Sequence, residues 1–142
     1  MPTSRLALCA VYGAVALIAL IATWSQNVAY LPTDPMGFIG AFLQDTKVNP
    51  ASRSITVDII LFFLAASVFM LIEARKHNIG FVWAYIVAGV FIAISVTFPL
   101  FLIARELRLA SPDAAHLRML DIIPLGAFAV LMLGLTYWID VI

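Results

Sequence analysis

An all-α integral membrane bundle of four transmembrane helices, with short interfacial helices in its first and third loops, is the fold class this sequence predicts. Three observations carry it. Four apolar runs, Leu6–Trp24, Ile55–Ile72, Phe81–Ala104 and Ile122–Ile139, each hold about the 17–25 residues a helix needs to cross a hydrocarbon core. The chain is 64% apolar and only 11% charged, with a mean hydropathy of +1.08, whereas soluble domains carry about a quarter charged residues. Tryptophan and tyrosine gather at the ends of the runs (Trp24, Tyr30, Trp83, Tyr85, Tyr137, Trp138), as aromatic side chains do at headgroup level. With 142 residues there is room for one domain, and in lipid its backbone must be satisfied within helices.

The first run follows Arg5 and could be misread as a secretory signal. Its apolar stretch exceeds the usual 7–15 residues and no small-x-small cleavage site follows, so an uncleaved first helix is expected. If the N-terminus lies on side A of the membrane, four spans put the Ser25–Ser54 and Arg105–Asp121 loops on side B. The Glu73–Gly80 turn and the C-terminus then return to side A. Basic residues number five on side B (Lys47, Arg53, Arg105, Arg108, Arg118) and three on side A (Arg5, Arg75, Lys76). The Arg75-Lys76 pair in a very short loop pulls against that count, so the positive-inside rule leaves the orientation open.

Within the first loop, the breaker cluster Leu31-Pro32-Thr33-Asp34-Pro35 precedes Met36–Leu43, apolar but too short to span, which reads as an interfacial or re-entrant helix. Asn49-Pro50 opens the second span, with Asn49 as N-cap and Pro50 at the first helical position, where a missing N–H costs nothing. Ser111-Pro112-Asp113 starts another short helix through Met119. Small residues recur at packing spacing in the pairs Cys9/Gly13, Ala84/Ala88, Gly89/Ala93 and Val130/Gly134.

Polar residues inside the runs are few, and Asp58 is the most informative. A carboxylate about one turn inside an apolar run must face a partner or hold its proton. Ser54 shares its helix face. If the third run crosses as one helix, its Ser95 and Arg105 lie in the same leaflet as Asp58, with Pro99 freeing the carbonyl of Ser95. The expected centre is therefore Ser54, Asp58, Ser95 and Arg105, with Gln26 and Asn27 from the end of the first helix as possible additions. Asp58 is the candidate catalytic acid.

Other chemistries lack their residues. Eight basic and eight acidic side chains give zero formal charge, and no basic tract points to nucleic acid. Cys9 is the only cysteine, and His77 and His116 fall on opposite sides in a four-span topology, so no metal site or cofactor is expected. No GxGxxG, Walker loop or nucleophile elbow is present.

Three blocks in fixed order carry a likeness: Asn49-Pro50-Ala51-Ser52 with Asp58, then Ile72-Glu73-Ala74-Arg75-Lys76, then Phe98-Pro99-Leu100-Phe101-Leu102 with Arg105-Glu106. Over about Arg5–Leu109 the chain resembles a family of small bacterial membrane proteins known only as a domain of unknown function. The family pattern ends near there, so the fourth span lies outside it. The resemblance implies a polytopic protein of the bacterial inner membrane and brings no activity or catalytic residues.

Three functions fit these observations. The first is binding of a lipid or other lipophilic small molecule in an intramembrane pocket, with a polar end near Asp58 and Arg105. The second is a membrane-embedded enzyme on an isoprenoid or lipid substrate, with Asp58 as acid in chemistry like that of terpene cyclases. The third is an accessory subunit of a larger membrane complex or a homo-oligomer, packing through small-residue faces.

Overall fold

The computed structural model describes residues 3–31, 35–109 and 119–141. In chain order they form α1 (Thr3–Asn27), a 3-10 turn (Val28–Tyr30), α2 (Pro35–Asp45), α3 (Pro50–Lys76), α4 (Val82–Phe91), α5 (Ile94–Arg108) and α6 (Met119–Val141). The all-helical class expected from the sequence holds among the described residues. Three helices, α1, α3 and α6, are long and apolar enough to cross a membrane, which makes this an integral membrane protein. The short helix expected from Ser111 lies outside the described residues.

Local signals in the first loop act as the sequence suggested. The Asn49 side chain accepts the Ser52 backbone N–H at 2.8 Å, and Pro50 opens α3. This satisfies one of the four orphan donors of a helix start. The apolar Met36–Leu43 stretch falls in α2. Its Phe38 and Phe42 pack edge-on against Tyr30, with ring centroids 6.2 and 5.6 Å away, and the Tyr30 hydroxyl donates to Asp45 at 2.7 Å.

The third apolar run departs from expectation. It is not one span from Phe81 to Ala104 but two helices, α4 and α5, folded back on each other about Ile92-Ala93. Tyr85 and Phe101 have ring centroids 5.7 Å apart. In one continuous helix, sixteen residues would separate them by about 24 Å. A Cβ built on Gly89 would come within 3.0 Å of Thr97 Oγ1 and 2.9 Å of Phe63 Cζ, so this position needs the bare backbone for α4, α5 and α3 to approach. At the reversal, the Ile92 carbonyl accepts the Trp24 indole N–H at 3.1 Å. Irregular backbone at membrane depth requires such a partner. Trp24 therefore does more than anchor an interface: it caps the turn of the hairpin.

This re-entrant hairpin changes which residues share a side. α5 lies antiparallel to α1, with Arg5 meeting Glu106 at one end and Trp24 meeting Ile92 at the other. α5 therefore ends on side A, so Arg105 and Arg108 sit there and not on side B. α6 then starts on side A. Its Asp140 accepts from Gln26 Nε2 at 2.8 Å and from Ser25 Oγ at 3.2 Å, which puts the C-terminal end on side B, opposite to the four-span expectation.

The core lies among α3, α4 and α5. Ala66, Met70, Ala74, Ile79, Val82, Ile94 and Phe101 form its buried cluster, with Phe101 and Met70 fully enclosed. α6 stands apart, and none of its apolar window is buried.

The turn from α3 into α4 aims the hairpin. Asn78 adopts φ 54 just past the helix end, and the Ile79 N–H reaches back to the Ala74 carbonyl at 2.9 Å. This is the 6→1 bond of a Schellman motif, with Ile79 and Ala74 supplying its apolar contact. Asparagine tolerates the left-handed region and β-branched residues do not. Asn78→Val is expected to cost about 1–2 kcal/mol, and Asn78→Gly to be neutral or better, measured by thermal unfolding in mild detergent. Equal melting of the two variants would contradict the assignment.

Candidate functional site

The ends of three helices converge on side A and bring their charged residues together. α3 contributes Glu73, one turn before its end. α5 contributes Arg105 and Glu106 in its last turn, and α1 contributes Arg5 in its first. Arg105 Nε donates to Glu73 Oε2, and its Nη1 donates to Glu106 Oε1 at 3.3 Å. Glu106 Oε2 in turn faces Arg5 Nε at 3.7 Å. His77, one turn after Glu73, brings Nε2 to 3.3 Å from Glu73 Oε2. The result is a chain of alternating charge, Arg5–Glu106–Arg105–Glu73, linking α1, α5 and α3, with the His77 imidazole beside its Glu73 end.

Burial makes this chain more than a surface network. Arg5, Glu73 and Glu106 are 5%, 8% and 4% exposed. Two carboxylates near helix C-termini would be disfavoured by the negative dipole end, and the two guanidinium groups offset that. Arg5 Nε, Glu106 Oε2 and His77 Nε2 are buried without a hydrogen-bond partner, so the Arg5–Glu106 link is held by charge alone. Such a chain fixes the register of three helices, because shifting one leaves ions unpaired.

The residues expected to form a site do not assemble as anticipated. Asp58 is exposed on the outer face of α3 and among the described residues makes no hydrogen bond or ion pair. Arg105 is paired with Glu73, fifteen residues further along α3 and about 22 Å away by helix rise. Ser54 is likewise exposed. Ser95 is half-buried in the first turn of α5. The Phe98 ring lies between Phe62 and Phe69, with centroids at 6.3 and 5.9 Å, so Ser95 falls about level with Phe62 and Asp58 a turn nearer side B. The expected cluster fails because it presumed a third helix that crosses, and with it Asp58 loses the burial that made it a candidate acid.

Of the two additions, Asn27 is half-buried at the end of α1 and gives no side-chain cap to the 3-10 turn that follows. Gln26 does enter a polar cluster, with Ser25 and Asp140. This cluster closes one end of a groove between α1 and α6 of about 210 Å³, whose walls include Ile18, Ile21, Ala22, Leu133 and Tyr137. A second cleft of about 320 Å³ lies between α2 and the start of α3, lined by Tyr30, Phe42, Asp45 and Ser52.

Sequence reasoning missed Arg5, Glu73, Glu106 and Asp140. Arg5 and Glu73 read as ordinary helix flanks. The adjacent Arg105-Glu106 pair and the lone Asp140 were the available signals, but their partners are named only by the hairpin.

Among the described residues no group of histidine, cysteine, aspartate and glutamate could hold a metal ion. No curated protein and no solved structure matches the chain. One family model does match, over residues 11–107, from the third turn of α1 to the last turn of α5, leaving α6 outside. Two spanning helices, the re-entrant hairpin and three of the four members of the ion chain, Glu73, Arg105 and Glu106, thus lie in the part this chain shares with its relatives, and the protein belongs to the family of proteins of unknown function DUF2834.

Proposed function

We propose that this integral membrane protein binds a lipid or another lipophilic small molecule in the groove between α1 and α6, in a bacterial inner membrane. The observation that carries this reading is the groove's polarity. Its walls are apolar side chains of two spanning helices, and polar groups occur at one end only, where Asp140, Thr136, Ser25 and Gln26 meet on side B. Sites for lipophilic molecules have this composition, with few polar groups fixing orientation. The apolar part of the ligand lies along Ile18, Ile21 and Leu133. Its polar head reaches Asp140, which as a carboxylate only accepts hydrogen bonds. An amphiphile whose head donates, through an amine or hydroxyls, suits that end better than a choline head, which has no donor.

Native mass spectrometry from mild detergent tests the proposal. The wild-type chain should retain a lipid-sized adduct, phosphatidylethanolamine in preference to phosphatidylcholine when both are supplied. Ala22→Trp, which fills the groove, should abolish retention, and Asp140→Asn should erase the headgroup preference. Retention that ignores both substitutions, or no adduct from the wild type, would refute the groove as a site.

A second reading, an accessory subunit of a membrane complex, is favoured by one observation: α6 is exposed along its apolar length. It predicts a larger assembly in the same spectra, lost when residues 119–141 are removed and insensitive to Ala22→Trp.

A further inference from the structure

Burial sorts the charges of side A by sign. The two acids there that belong to the ion chain, Glu73 and Glu106, are buried and neutralised by Arg105 and Arg5. Arg75, Lys76 and Arg108 are exposed and make no ion pair among the described residues. Arg105 adds a partly exposed guanidinium, its side chain 24% accessible. Asp121, at the start of α6, is the one exposed acid described on this side. Side B carries the opposite balance: exposed Lys47 and Arg53 stand against Asp45, Asp58 and Asp140.

The re-entrant hairpin produces this asymmetry. Had Phe81–Ala104 crossed the membrane, Arg105 and Arg108 would join Lys47 and Arg53. With the hairpin returning to its own side, the described basic residues divide five (Arg5, Arg75, Lys76, Arg105, Arg108) against two (Lys47, Arg53). A bias of this size, in segments next to the spans, marks the cytoplasmic side.

We infer that side A faces the cytoplasm and that Arg75, Lys76 and Arg108 form a basic rim that engages anionic phospholipid headgroups of the cytoplasmic leaflet. The N-terminus is then inside and the C-terminal end of α6 outside. The rim sits at the right level for this role. Arg75 and Lys76 close α3 and Arg108 closes α5, all in last turns, where side chains extend from the apolar core to the headgroups. Their charges meet the negative surface potential of that leaflet. The buried acids cannot compete for the rim, because each already has its own guanidinium. This surface lies at the opposite end of the molecule from Asp140 and shares no residue with the α1–α6 groove, so either site can fail without the other.

Two measurements test it. Purified protein is supplied with mixed micelles holding phosphatidylglycerol and phosphatidylcholine in equal amounts, and bound lipid is counted by native mass spectrometry. Phosphatidylglycerol should be retained over phosphatidylcholine by about tenfold. The preference should weaken in high salt and vanish in the triple variant Arg75→Gln, Lys76→Gln, Arg108→Gln. None of these residues belongs to the core or the ion chain, so the variant should fold. Equal retention of both lipids by the wild type, or an unchanged preference in the variant, would overturn the rim. Orientation is read in a Cys9→Ser background with an impermeant maleimide on intact cells. Val48→Cys should label from outside, and Lys76→Cys only after permeabilisation. Labelling of position 76 on intact cells would overturn the placement of side A.

Discussion

Glu106→Ala is expected to destabilise the protein by about 3–5 kcal/mol. Glu106 is 4% exposed and stands between two guanidinium groups, Arg105 Nη1 at 3.3 Å and Arg5 Nε at 3.7 Å. Its removal leaves Arg5, equally buried, with no counter-ion. The cost is that of an uncompensated ion and not the worth of the pair, since two buried charges lose hydration that their attraction only partly restores. The double variant Arg5→Met, Glu106→Met should therefore recover most of what Glu106→Ala loses, because it removes both ions and leaves Arg105 with Glu73. Thermal unfolding in mild detergent measures both. A Glu106→Ala loss under about 1 kcal/mol, the range of water-exposed pairs, would mean that solvent reaches the chain. A double variant no better than the single would mean that Arg5 has another partner.

Closing the hairpin on itself is the second large effect. With Cys9 replaced by serine, the pair Tyr85→Cys and Phe101→Cys should be joined by a short bifunctional thiol reagent of about 10 Å reach, because the rings they replace lie 5.7 Å apart. One crossing helix would hold the two positions about 24 Å apart, beyond that reach. Adding Gly89→Val to the pair should sharply lower the yield. Its Cβ alone would stand 3.0 Å from Thr97 Oγ1 and 2.9 Å from Phe63 Cζ, and overpacking of this kind costs about 1–3 kcal/mol. Lipid offers apolar surroundings to a splayed hairpin almost as readily as the bundle does, so close packing has to hold α4 against α5. A crosslink unaffected by valine would mean that the hairpin is held elsewhere. No crosslink at all would restore the single third span.

Much of this architecture is legible in local sequence. Asn49-Pro50 marks the start of α3 because a capping side chain and a ring without an N–H suit that position alone. The apolar stretch after Pro35 marks α2, too short to span. Gly89 announced a close helix approach through its small-residue spacing, although which helices approach was not readable. The reversal at Phe91-Ile92-Ala93 was invisible. It contains no glycine and no proline; Gly89, two residues before it, lies inside α4, and Pro99 sits well inside α5. Six further residues inherit that omission. Arg105 and Ser95 were assigned to the wrong neighbours, Asp58 to a partner it never meets, and Glu73, Glu106 and Arg5 to no partner at all. The fault lies in the reach of the interaction: the Tyr85–Phe101 and Trp24–Ile92 contacts join residues that periodicity treats as unrelated.

By itself the sequence determined the solvent of this protein, its helical class and the ends of most helices. Hydropathy and capping act over a turn or two of chain, and no tertiary contact is needed to read them. Only the tertiary structure decided how many times the chain crosses, which charges pair and which remain exposed. An apolar run long enough to span is also long enough to fold in half. The choice between the two rests on a bare glycine face, an indole that satisfies one carbonyl, and four ions that can be neutralised together only if α5 returns to the side where α1 begins.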